Sequence, residues 1–172
     1  MMKILNVHER TLPVAVDKVL PLFHSLSSDK DLFWPVENWP RMRFKQGLKL
    51  GSIGGHGPIK YEVIEYDALG LISFRFLKPE GFRGSHTFKI TAVDGSHTKL
   101  HHEIKMDASS LDYLYWSFVI RWLHDALMED AFDKATNYLT NTNKHTPWNW
   151  WVKILRWLLT SKKMSKKVPS PH

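Results

Sequence analysis

Residues 59–106, "IKYEVIEYDALGLISFRFLKPEGFRGSHTFKITAVDGSHTKLHHEIKM", decide the fold. Over Ile59 to Tyr66 the residue types alternate. Ile59, Tyr61 and Val63 fall on one side and Lys60 and Glu62 on the other, the period of a strand with one buried face. Three more strand candidates follow, "LISFRFLK", "SHTFKITAV" and "TKLHHEIKM", separated by "PEGFRG" and "VDGSH"; Asp94-Gly95 in the second connection is a hairpin signal. Ile72, Phe74 and Phe76 share a face, as do His86, Phe88, Ile90 and Ala92, and Leu100, His102, Ile104 and Met106. The opposite faces carry Arg75, Lys89, Lys99, Glu103 and Lys105, so the pattern is an antiparallel meander with one apolar side.

The flanks complete the plan. Upstream, Lys3 to Arg10 alternates with Leu5 and Val7 on one side and reads as a strand. A helix follows Pro13, carries Val16, Val19, Leu20 and Phe23, and ends in "SLSSDKD". In "FWPVENWPRMRF", Pro35 and Pro40 disfavour helix at Trp34 and Trp39, which places both indoles on an irregular connection. The glycines of "GGHGP", around His56, read as a mobile turn. Downstream, about Leu111 to Leu139 reads as one long helix without internal Gly or Pro. Trp116, Ile120, Leu123, Leu127, Ala131, Ala135 and Tyr138 form its apolar stripe, and Arg121, Asp125, Glu129 and Asp133 its polar edge. Arg121 with Asp125, and Asp130 with Lys134, have pairing distance along the helix. The expected class is α+β, one curved antiparallel sheet covered by one long helix, an arrangement that can enclose a cavity.

Composition limits the functions. With 172 residues the chain suits one core plus a tail, and without cysteine it has no disulfide, thiol nucleophile or thiolate metal site. The start has no signal-peptide run and no stretch reaches the roughly 18 apolar residues of a membrane span, so a cytoplasmic protein is expected. The formal charge of +7 is local. Before residue 141 acids and bases balance, and after it Lys144, Lys153, Arg156, Lys162, Lys163, Lys166 and Lys167 stand with no acid. A neutral body offers no broad basic face for phosphates, which disfavours nucleic acid as a partner.

In "FWPVENWPRMRF", "GGHGPIKYEVIEYD", "GFRGSHTFKIT" and "RWLHDALMEDAFD", and in element order, the chain resembles the SRPBCC or START-like superfamily. This is the helix-grip fold of polyketide cyclases, lipid-transfer START domains and the major birch pollen allergen. The resemblance covers about residues 3–140, within an expected domain of residues 1–140, and is strongest to bacterial members without an assigned activity. It implies a deep hydrophobic cavity between the sheet and the terminal helix, holding a hydrophobic or amphipathic small molecule or lipid, and no cofactor. It also implies a competing reading, a cyclase-like enzyme using cavity histidines as general acid or base.

The candidate ligand-binding residues are Trp34, Trp39, His56, Phe74, Phe76, Phe82, His86, His102 and Trp116. The alternation sets His86 and His102 among apolar neighbours on the concave side, where they either orient a ligand or are buried histidines satisfied by the protein. No metal-ligand spacing is present, and His124 and Asp125, adjacent on a helix, point about 100° apart and read as surface charge rather than a catalytic dyad.

Residues 141–172 form a second segment, a Trp-rich amphipathic helix with a Lys-rich end. Asn149, Lys153, Arg156 and Thr160 draw one narrow polar stripe. Twelve residues span about 18 Å, too short to cross a bilayer. Trp148, Trp150, Trp151, Lys153, Arg156, Trp157, Lys162 and Lys163 are therefore expected to lie on an anionic membrane surface, peripheral to its inner face. The alternatives are that the helix covers its own domain or binds a partner protein.

Overall fold

The computed structural model describes residues 1–165, with side chains described as far as Leu159. Strands β1 (Met2–Leu12), β2 (Arg43–Phe44), β3 (Ile53–His56), β4 (Ile59–Asp67), β5 (Leu71–Lys78), β6 (Phe82–Ala92) and β7 (Thr98–Ala108) form one antiparallel sheet. Its order is β1-β7-β6-β5-β4-β3-β2. The meander keeps the expected faces. Phe74 stands opposite His86, His86 opposite Ile104, and Phe88 opposite His102, so one side of the sheet is a continuous wall of rings and aliphatic chains.

Two details differ from expectation. "GGHGP" is structured: Ile53–His56 is β3, paired with both β2 and β4. Gly55, at φ +146, brings its backbone against the Ile59 carbonyl, a position no side chain would fit. The inward face of β1 is also the opposite one. Leu5 and Val7 are 67% and 44% exposed, while Ile4, Asn6, His8, Arg10 and Leu12 face the protein. Polar side chains can take the inner face because the long helix offers them Asp125, Glu129 and Asp133.

Helix α1 (Val16–Ser25) buries Val19, Leu22 and Phe23. The connection behind it is organised by the buried Asp31, whose carboxylate accepts N–H bonds from Ser27, Phe33 and Trp34 at 2.7 to 2.9 Å. The long helix begins at Ser109, which accepts from the Asp112 N–H, and ends at Asn141 in the left-handed conformation. Between these points α2 (Ser110–Tyr115) and α3 (Arg121–Thr140) are joined by a π turn, Trp116–Ile120, and the Trp122 indole donates to the Ser117 carbonyl at 3.1 Å. Arg121 and Asp125 pair at 3.6 Å. Lys134 does not pair with Asp130; it donates to the Asp31 and Trp34 carbonyls and to Glu37, tying the Trp34–Trp39 connection to the helix. Tyr138, expected on the apolar stripe, is exposed.

Helix α4 (Trp150–Ser165) lies against this body. Val152 and Leu155 are buried, and Trp148 packs on the main core. Burying Val152 and Leu155 contributes about 1.5 to 3 kcal/mol each.

Candidate ligand site

A cavity of about 780 Å³ lies between the concave sheet and the long helix. That is within the usual range of small-molecule sites, roughly 300 to 1,000 Å³. The sheet supplies Tyr61, Phe76, Phe82, Phe88 and Ile104, and the long helix supplies Trp116, Val119, Leu123, Leu127 and Met128. Trp34 and Trp39 wall one side from the connection, and α4 contributes Arg156 and Leu159. The lining is therefore predominantly apolar, with four histidines set into it: His56, His86, His102 and His124.

Eight of the nine ligand-binding candidates read from the sequence line this cavity: Trp34, Trp39, His56, Phe76, Phe82, His86, His102 and Trp116. Phe74 does not. It is fully buried, because the rings of His86, at 4.6 Å, Phe44 and Tyr61 cover it. His56 sits at the end of β3, 4.9 Å from the Trp34 ring.

His124 is the main residue that sequence reasoning misplaced. It lines the cavity with its side chain 11% exposed, its ring 4.9 Å from His102 and 5.5 Å from His8. His86 Nδ1 and His102 Nε2 approach to 3.4 Å. The histidines thus form a chain, His8, His124, His102, His86, that runs from the rim of β1 into the apolar wall. Burial, reinforced by mutual repulsion, pushes the His86 and His102 pKa values well below the usual histidine range and lowers that of His124; it brings His56 down to about 3. All four are neutral imidazoles at pH 7. Burial raises the Tyr61 hydroxyl well above its ordinary value, so it is a neutral phenol.

Several polar atoms in this wall lack partners. His86 Nε2, His102 Nδ1, His124 Nδ1 and the Tyr61 hydroxyl are buried without a hydrogen bond. The approach of His124 Nδ1 to Asp125 is 3.8 Å, too long for a hydrogen bond. Each such group costs about 1 to 3 kcal/mol, and most buried polar groups are satisfied, so four around one cavity are unusual.

Behind the wall, β1 and α3 are joined by a polar ladder. Asp125 accepts from the Asn6 amide at 2.9 Å and lies 3.1 Å from His8 Nε2. Arg10 bridges Glu129 and Asp133. Burial opposes ionisation of Asp125, but His124, His8 and Asn6 outweigh it and hold the carboxyl below the ordinary range. Donor atoms of His8, His124 and Asp125 all lie within 4.8 Å of one another, the one grouping of this kind among the described residues. Asn6 and Arg121 already engage His8 and Asp125 there.

The C-terminal candidates divide. Trp148 is half-buried and donates to Asp130; the half-buried Trp151 donates to the Phe118 carbonyl at 2.9 Å. Arg156, read from sequence as part of an outward stripe, turns inward. It lies over the Trp39 and Trp148 rings at 4.4 and 4.3 Å and donates to the Asn38 carbonyl, because two indoles and a carbonyl await it there. Trp150, Lys153 and Trp157 are exposed, and the side chains of Lys162 and Lys163 lie outside the described residues. Sequence reasoning also missed Tyr61 and Leu123 as lining groups, although their periodicity marked both as inward facing.

No protein-family profile matches this chain, and no curated protein matches it in sequence. Solved structures do. A Thermobifida fusca protein solved in solution by NMR aligns with a TM-score of 0.62 over 84% of this chain and 99% of its own, at 12% identity. The norcoclaurine synthase of Thalictrum flavum, in complex with dopamine and hydroxybenzaldehyde, aligns at 0.62 over 84% of this chain and 90% of its own, at 10% identity. Ara h 8.0201 aligns at 0.54 over 82% of this chain and all of its own, at 12% identity. The chain has the helix-grip fold. At such identities the likeness is one of fold, and the helix-grip chain described here takes its chemistry from its own residues.

Proposed function

We propose that this helix-grip protein binds a hydrophobic or amphipathic small molecule or lipid in the cavity between sheet and long helix, as a carrier or sensor working at an anionic membrane surface. The cavity of about 780 Å³ carries the reading, because a space of this size lined by aromatic and aliphatic side chains is costly to leave without an apolar guest. Tyr115 and Leu159 both line it and are both exposed, so the apolar lining runs out to the surface beside α4. Among the described residues no helix is long and apolar enough to cross a membrane, and the proposed contact is peripheral. Native mass spectrometry of protein purified without detergent, followed by organic extraction, tests the binding: a retained apolar compound released on unfolding is expected. Recovery of bare protein that also fails to take up uncharged lipids would overturn it.

The histidine chain supports a second reading, an enzyme of the cyclase type in which His86 or His102 moves a proton of the bound molecule. It requires turnover that rises with pH and is lost in His86→Ala or His102→Ala while the ligand still binds.

A further inference from the structure

We propose that the outer side of α2 and its π turn joins the exposed side of α4 in one docking face for an anionic bilayer, and that this face brackets the cavity mouth so that the mouth opens onto lipid. The inference rests on the membrane half of the reading above and adds a second element, on the long helix, to the contact surface.

Leu111, Leu114, Tyr115 and Phe118 recur at three- and four-residue spacing and so share one side of the helix. All four are exposed, Leu111 at 80% and Phe118 at 63%. The other side of the same stretch is apolar too and faces inward, with Trp116 buried and Val119 and Ile120 lining the cavity. A helix that is apolar all round is normally covered on every side, so the outer stripe calls for a partner. The feature is local. From Arg121 onward the long helix exposes no large apolar side chain until Tyr138.

Two contacts keep α4 beside this stretch. The Trp151 indole donates to the Phe118 carbonyl at 2.9 Å, and Leu159 and Tyr115, both exposed, line the same cavity. On α4 the exposed Trp150, Ile154, Trp157 and Leu158 form a second apolar stripe, with the exposed Lys153 at its flank. The cavity lining is thus continuous with apolar surface on both helices, and whatever covers that surface sits against the open end of an apolar cavity. Charge selects lipid over a second copy of the chain. Residues 141–172 hold seven bases and no acid, and Asp112, the one acid between Leu111 and Ile120, is held by the Ser109 hydroxyl. A symmetric pair would set the patch against itself and bring two such basic segments together, whereas an anionic bilayer attracts them.

The chain has no cysteine, so single-cysteine variants of the full chain carry one label each. Leu114→Cys, Leu158→Cys and Leu69→Cys are labelled with nitrobenzoxadiazole, whose emission rises and shifts to the blue in apolar surroundings. Leu69 is an exposed control in the turn between β4 and β5, at the opposite end of those strands from Pro58 and Pro79, which line the cavity. On vesicles of equimolar phosphatidylserine and phosphatidylcholine the labels at positions 114 and 158 are expected to brighten about twofold or more, and the label at 69 to stay unchanged. Leu114→Ser/Phe118→Ser is expected to keep the urea midpoint of wild type and to bind these vesicles about tenfold more weakly. A response at 158 without one at 114, or undiminished binding by the double variant, confines the contact to α4 and overturns this inference while leaving the proposed function standing. An equal response at 69 means adsorption without a defined face and overturns it as well. A label at 114 that responds to protein concentration without lipid overturns it in favour of a second copy. No response at any position removes the membrane from both this inference and the proposed function.

Discussion

Trp39 and Trp148 stand edge to face, with ring centroids 5.8 Å apart, and both donate their indole N–H to the carboxylate of Asp130. Arg156 caps the pair from α4. One buried acid therefore binds the connection before β2, the long helix and the C-terminal segment into a single joint at the cavity edge. Trp148→Ala removes a packing ring and one donor, and is expected to destabilise the protein by roughly 2 to 4 kcal/mol. Urea unfolding measures the loss, and amide exchange of α4 should accelerate more than that of β6 and β7. Uniform acceleration, or none in α4, would mean that the joint does not hold the helix.

The β1–α3 ladder gives an acid-dependent prediction. Asp133 is buried; burial opposes its charge, but Arg10 and Thr146 outweigh that and depress its pKa. A depressed carboxyl contributes stability that is present above its unfolded pKa, near 3.8, and is lost as pH falls through the folded value. Arg10→Met leaves Glu129 and Asp133 facing each other without a cation and is expected to cost about 3 kcal/mol at pH 7. The gap from wild type should close as pH drops below the carboxylate range. Chemical denaturation across pH 2.5 to 7 reads both effects, and a gap that stays constant with pH would refute the assignment.

This ladder also shows where the sequence was legible. Alternation over Ile59 to Met106 reports the concave face because those strands bury apolar residues, and the lining candidates Phe76, His86 and His102 follow from it. The same rule chose the wrong face of β1. Asn6, His8 and Arg10 enter the interior only because Asp125, Glu129 and Asp133 repeat every four residues on the facing helix, a pairing between distant segments that no local window contains. Polar residues at alternate strand positions and acids at successive helical turns were the available signal. His124 was misread for a related reason. Its neighbour Asp125 belongs to the ladder, whereas His124 faces the cavity one step around the helix, so adjacency in sequence concealed two environments. The π turn at Trp116–Ile120 has no sequence signature of its own here.

The buried histidines predict a second pH window. His56, His86, His102 and His124 have folded pKa values below their unfolded value of 6.5. The unfolded chain therefore takes up protons that the folded protein refuses, and stability falls as pH drops below about 6.5. Each refused proton is worth about 1.4 kcal/mol per pH unit once well below that value. His86→Phe/His102→Phe removes two of the four and should flatten the decline between pH 6.5 and 5. Urea midpoints at these pH values decide it, and an unchanged slope would mean that these imidazoles titrate normally in the fold.

The exposed side of α4 yields the prediction that bears on location. Val152, Leu155 and the stem of Arg156 face the body, which leaves Trp150 and Trp157 exposed, with Leu158 and Leu159 beside them. Truncating the segment would remove core residues, so point substitutions are the informative test. Trp150→Ser/Trp157→Ser is expected to keep the unfolding midpoint near that of wild type and to lower binding to phosphatidylserine vesicles by about tenfold or more in co-sedimentation. Added salt should weaken wild-type binding further, since lysines near an anionic surface contribute about 1 kcal/mol each and that attraction is screened. Neutral vesicles should bind least. Equal sedimentation of wild type and variant on anionic vesicles would remove α4 from the membrane, and the apolar mouth beside Tyr115 would then need another route for its guest.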